Sequence, residues 1–166
     1  MTNRHWREMV EIVGVVGIVA SLILVAAELR DANEIASTDA ELTLAQQYNV
    51  LHRERASNPE LAKIFPKLES PDAHLITATD ASQMRGIATF QINFLQSVQN
   101  AYQDDLISRK VRDAYISDLA RTIDEWPGIR PYLAEIYETR EELHGQVEFA
   151  PIADYLAAEG NSETAE

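Results

Sequence analysis

Residues 12–34 read "IVGVVGIVASLILVAAELRDANE". The run Ile12–Ala27 carries no charge over 16 residues and then passes into charged sequence without a turn signal. As a helix it is ~24 Å long at 1.5 Å per residue. A bilayer core asks for about 20 residues. Extension to Met9 and Leu29 meets that length, with Glu11 and Glu28 near the headgroups and Trp6 one turn outside, where an interfacial aromatic sits.

Three segment types compete for this stretch. A signal peptide needs a basic start, a shorter apolar centre and a polar approach to a small-residue cleavage site. Val25-Ala26-Ala27 resembles such a site, but no polar spacer precedes it, and Glu8 and Glu11 neutralise Arg4 and Arg7. A core helix that is apolar all round belongs at the centre of a large protein, and the remaining chain is small for that. A retained membrane anchor fits best. Arg4, Arg7 and the α-amino group precede the span, while Arg30 alone follows closely. That bias predicts the N-terminus inside and the rest of the chain outside. Gly14, Gly17 and Ser21 are small, and the last two share a face, the spacing that lets a second membrane helix approach.

The net charge is −13, and because residues 1–27 are neutral, all of it lies beyond the apolar run. Such a body repels phosphate backbones, so nucleic acid is not an expected partner. There is no cysteine, which excludes disulfides, thiolate metal sites and cysteine nucleophiles.

Beyond Ala27, "ELRDANEIASTDAELTLAQQYNVLHRERA" (28–56) has neither Pro nor Gly, and Leu29, Ala32, Ala36, Ala40, Leu44, Tyr48 and Leu51 form a soft helical stripe. One helix is expected to run through it. Asn58-Pro59 then reads as an N-cap and first position, and Pro66 as the limit of the short helix that follows. "KLESPDAHLITATD" (67–80) reads as a loop, with a major helix starting at Thr77 or Thr79. Its stripe is Met84, Ile87, Phe90, Phe94, Leu95, Val98 and Tyr102. A fourth helix carries Val111, Ala114, Tyr115, Leu119 and Ile123. Pro127 interrupts, a fifth stripe runs from Ile129 to Leu143 and stops at Gly145, and "EFAPIADYLAAEG" supplies a last short helix. No period-two pattern persists, so the expected fold is all-α: an N-terminal transmembrane helix continuing into a small antiparallel bundle. The expected boundaries are an anchor over 1–29, a bundle over 30–158 and an acidic tail over 159–166.

The major helix is rich in amides: Gln91, Asn93, Gln96, Gln99, Asn100 and Gln103. The plain reading is a solvated face. The sharper one takes Gln91, Gln96, Gln99, Asn100 and Gln103 as facing a partner, since amides hydrogen-bond across an interface without burying charge. Of the four histidines, His144 lies in a Glu-x-x-His unit with Glu141, but a di-iron bundle uses two such units. His5, His52 and His74 form no ligand spacing. No phosphate loop or nucleophile elbow is present. Asp104-Asp105 reads as the start of a loop that caps the next helix, and Trp126 as a staple on the helix after Pro127. No cofactor and no catalytic constellation is expected.

Three stretches in order, "GIVASLILVAAELRDANEIA" (17–36), "ASNPELAKIF" (56–65) and the late helices "FLQSVQNAYQDDLIS" (94–108) with "EWPGIRPYLAEIYETREELHGQVEFAPIADYL" (125–156), carry a resemblance. The chain resembles a widespread group of uncharacterised bacterial proteins in which one N-terminal membrane helix leads into a small helical domain. The resemblance implies a bacterial origin, a retained membrane helix and a helical body; it carries over no site residue. The neutral, acid-containing start departs from the group. The expected function is that of a single-pass protein of the bacterial cell membrane that acts as an interaction or accessory subunit. Its partners are another protein, or a second copy held through the membrane helix. The alternative is an extracytoplasmic bundle holding a small molecule near Phe90, Phe94, Tyr115, Trp126 and Tyr137.

Overall fold

The computed structural model describes residues 2–70 and 76–163. His74 therefore lies outside the described residues, and the structure shows nothing of the His5 side chain. Every regular element described is helical. Helix α1 spans Thr2–Ser57, α2 Pro59–Ala62, α3 Phe65–Glu69, α4 Ala78–Gln103, α5 Arg109–Glu125, α6 Arg130–Thr139 and α7 Ala150–Glu163. Single 3-10 turns stand at Pro127–Ile129, Glu141–Leu143 and Val147–Phe149. The chain is all-α, a long apolar N-terminal helix followed by a small helical bundle.

The packing divides the chain after Asp39. The first unit is α1 up to that residue. From Ile12 to Leu29 its large apolar side chains are exposed, Ile12, Ile18, Leu22 and Leu24 each at 63%. A helix satisfies its own backbone polar groups, the condition any chain must meet in an apolar medium. The Ser21 hydroxyl follows suit and donates to the Gly17 carbonyl at 2.8 Å. Composition changes after Ala27, but the second packed unit begins only at Ala40. Leu29, Ala32 and Ala36, expected in the packed stripe, are exposed.

The second unit starts with the last turns of α1, where Leu44 and Leu51 are buried and Ala40 and Tyr48 half-buried. Helix α4 supplies the centre of the core. Met84, Ala88, Ile92, Leu95 and Val98 are fully enclosed at the three- and four-residue spacing of one helical face. Around it pack Phe65 and Leu68 of α3, Leu119 and Ile123 of α5, Leu133 of α6, Phe149 of the last 3-10 turn and Ile152 of α7.

Local chemistry sets most boundaries. The Asn58 side chain accepts from the backbone N–H groups of Glu60 and Leu61, with Pro59 in the first turn. Thr77 and Asp80 cap each other at the start of α4, the reciprocal arrangement that satisfies two otherwise orphaned donors. Pro66 differs from its expected role. It sits in the first turn of α3, where a missing N–H costs nothing, so residues 67–69 of the expected loop are helical.

Asp104-Asp105 does not cap the next helix; Ser108 does, accepting from the Val111 N–H. Asp105 instead closes α4. Its φ is 56°. Its N–H donates to the Tyr102 carbonyl at 3.1 Å, and the Leu106 N–H donates to Ala101 at 2.9 Å, the paired bonds of a left-handed helix stop. Helix α6 ends at Thr139, ahead of Gly145, so Leu143 packs from a 3-10 turn rather than from the fifth helix. Helix α7 runs on through 159–163, part of the stretch expected as a tail; Ala157, Ala158 and Glu159 are strong helix formers.

Candidate functional site

Four residues of the last α1 turns, Tyr48, Leu51, His52 and Arg55, recur at spacings of three, four and seven and so share a face. They form one wall of a cleft of ≈ 240 Å³ in the second unit. Phe90 and Gln91 of α4, Glu69 of α3 and Trp126 line it as well, with Asp118, Arg121, Thr122 and Glu125 of α5 opposite.

The polar wall is internally wired. The Tyr48 hydroxyl donates to Asp118 Oδ2, and Arg121 Nη2 donates to Asp118 Oδ1. Arg121 Nη1 also stands 3.9 Å from Glu125. Burial, followed by the bond to Asp118, pushes the Tyr48 hydroxyl up to about 12. It stays protonated at neutral pH and serves as a fixed donor. The apolar wall is aromatic. Tyr48 packs tilted against Phe94 and Tyr115, with ring centroids 5.7 and 5.8 Å away, and Phe94 meets Tyr115 edge-on at 5.0 Å. Arg55 lies over the Phe65 ring at 4.2 Å, a favourable cation–aromatic contact. Phe65 meets Trp126 edge-on at 5.3 Å. Trp126 thus packs back on α3. What lets α3 come so close is Gly128. A Cβ there would stand 2.7 Å from the Lys67 carbonyl oxygen.

The residues singled out from sequence are dispersed. Gly14 and Gly17 face open space. Of the amides, Gln96, Gln99, Asn100 and Gln103 recur at spacings of three, four and seven and share a face of α4, while Gln91 falls off it. Gln91 is four residues after Ile87 and three before Phe94, within the packed arc, and lines the cleft. Gln99 is half-buried, and its side-chain oxygen is enclosed without a hydrogen-bond partner. Gln96 and Asn100 bond each other at 3.3 Å. Asn93 accepts from Arg140 at 3.1 Å, and Gln103 is exposed. Of the five aromatics named for a ligand, Phe90 and Trp126 line the cleft. Phe94 and Tyr115 stand behind it, and Tyr137 packs against His144 at 4.7 Å. His144 Nε2 lies 2.8 Å from the Tyr137 carbonyl oxygen. Among the described residues no group of three His, Cys, Asp or Glu converges as metal ligands do.

Two further polar networks were invisible in the sequence. Asp80 Oδ2 accepts from Lys67 Nζ at 2.6 Å and from the Thr77 N–H and hydroxyl at 2.8 and 2.7 Å. The Lys67 bond, then the Thr77 bonds, hold its carboxyl down at about 2. Glu148 is enclosed at 1% exposure. Its Oε1 lies 3.6 Å from Arg112 Nη1, whose guanidinium stacks on Tyr102 at 4.1 Å.

No family model matches the chain, and no curated protein or solved structure does. The class is set by the chain itself. It is an all-α protein with, among its described residues, one helix long and apolar enough to cross a membrane.

Proposed function

We propose that this is a single-pass bacterial membrane protein with its N-terminus inside. Its helical bundle, on the outer side, acts as an accessory or interaction subunit for another membrane protein. The observation that carries the reading is the Ile12–Ala27 run, free of charge and exposed along its length. Exposed apolar surface of that extent marks contact with a membrane or a partner. The flanking arginines favour the stated orientation. In the cleft, Tyr48, Asp118 and Arg121 bind one another rather than standing ready for proton transfer, which supports an interaction role over a hydrolytic one.

The test is a pair of reporters, one fused after Glu166 and one before Met1, read for activity on each side of the membrane. An external signal from the first and an internal one from the second is the expected result; the reverse overturns the orientation. Mass spectrometry of the membrane-extracted chain should find residues 1–27 retained, and a chain starting at Glu28 would make the segment a signal peptide. Extraction in mild detergent should yield a complex, and a strictly monomeric species would count against an accessory role.

A further inference from the structure

We propose that the cleft between α1, α3, α4 and α5 binds a small zwitterion with an apolar side chain, in chemical class a free amino acid. The site lies wholly in the second unit and stands independently of the membrane reading.

The argument is one of charges left over. Of the ionised groups on the cleft, Asp118 is matched by the Tyr48 hydroxyl and by Arg121, and Arg121 also faces Glu125. Two opposite charges remain. Arg55 is held over the face of Phe65, a contact that fixes the guanidinium and leaves its N–H groups available. Glu69, the last residue of α3, lines the same cleft. Neither forms an ion pair among the described residues, so the two do not close on each other across the cleft. A ligand with a carboxylate for Arg55 and an ammonium for Glu69 completes both. The Gln91 side chain, which makes no hydrogen bond among the described residues, adds a donor and an acceptor to the cleft lining.

Size and lining agree. At ≈ 240 Å³ the space falls below the roughly 300–1,000 Å³ of sites for drug-sized ligands, and it suits a metabolite of a few heavy atoms. Leu51, Phe90 and Trp126 give its side chain an apolar surface. A purely anionic ligand meets Glu69 and Glu125; a purely cationic one meets Arg55 and Arg121. A zwitterion is repelled by neither pair.

The experiment uses the intact chain in detergent micelles with Trp6→Phe, which leaves Trp126 as the one tryptophan of the two in the sequence. Its fluorescence is followed during titration with each of the common amino acids at up to millimolar concentration. L-leucine is compared with 4-methylpentanoate, which lacks the ammonium, and with 3-methylbutylamine, which lacks the carboxylate. The expected result is a saturable change with at least one apolar amino acid and binding about 10-fold weaker or worse for each one-charge analogue. Arg55→Gln should lose the amino acid while keeping the amine. Glu69→Gln should lose the amino acid while keeping the carboxylate. Both side chains are exposed, and an unchanged melting curve will show that the fold is intact. No saturable response to any amino acid overturns the proposal. So do analogues that bind as tightly as the zwitterion, and so do variants that bind as the parent does.

Discussion

Ile12–Ala27 and the α4 segment Met84–Val98 are both rich in apolar residues, yet one is exposed and the other forms the centre of a core. The difference lies in arrangement. In α4 the apolar residues recur at three and four with Arg85, Gly86 and Asn93 between them, so a single face exists and can be covered. In α1 the apolar residues are continuous, so no polar face remains to turn to water. A helix of that kind is satisfied only by an apolar medium on every side. Pattern, rather than hydrophobic content, assigns each helix its solvent.

The strongest way to break this comparison is one truncation made in both helices. Leu95 is 1% exposed, and Leu95→Ala should cost about 2–5 kcal/mol of bundle stability. Leu22→Ala should leave it unchanged. Urea unfolding followed by near-ultraviolet circular dichroism in a fixed detergent reads both. Equal effects would mean that Leu22 is packed as a core residue and that the exposed run is no separate region.

The bundle also depends on close backbone approach. Gly128→Ala puts a methyl group 2.7 Å from the Lys67 oxygen and 3.0 Å from the Leu68 Cα. Backbone cannot swing aside as a flexible side chain can, so α3 must shift. A loss of about 1–3 kcal/mol is expected, together with a change in Trp126 fluorescence as Phe65 moves off its edge. Gly14→Ala, with open space around it, should show no such effect in the same unfolding measurement.

The Lys67–Asp80–Thr77 cluster gives a pH signature. Asp80 is held at about 2 in the folded chain, chiefly by the Lys67 bond, against ~3.9 for an unperturbed aspartate. A depressed folded value means stability that is fully present above ~3.9 and lost as pH falls toward 2. Unfolding profiles from pH 5 to 2 should therefore drop less steeply for Asp80→Asn than for the parent, with the two curves converging at the acid end. Parallel curves would show that the cluster carries no linked stability.

What could be read from the sequence was local. Asn58-Pro59, Thr77 as one of two candidate starts, and the core face of α4 each declare themselves within one or two turns. Pro66 misled because proline ends one helix and opens another with equal ease. The amides misled because Gln91 and Gln99 fall within the packed arc, where short-range composition suggested a solvated side. Nothing local joins Tyr48 to Asp118 across 70 residues, or Arg112 to Glu148. In the turn that carries Glu148 the expected order is inverted. Val147 is 59% exposed while its neighbour Glu148 is enclosed, because a charge on another helix, Arg112, waits there.

The smallest expected effect has the opposite sign. Asp105 closes α4 with φ at 56°, a region where a Cβ crowds the following carbonyl oxygen at a cost of roughly 1–2 kcal/mol for most residues. Aspartate bears this better than most because its short side chain can bond locally, but the Asp105 side chain forms no hydrogen bond among the described residues. Glycine pays no steric cost there, although it frees the unfolded chain somewhat. Asp105→Gly should therefore stabilise the bundle by about 0.5–1 kcal/mol, read as a higher urea midpoint at unchanged slope. Asp105→Ala keeps the Cβ and should not. A gain with alanine equal to that with glycine would trace the effect to the lost negative charge in an acidic protein, and not to the backbone.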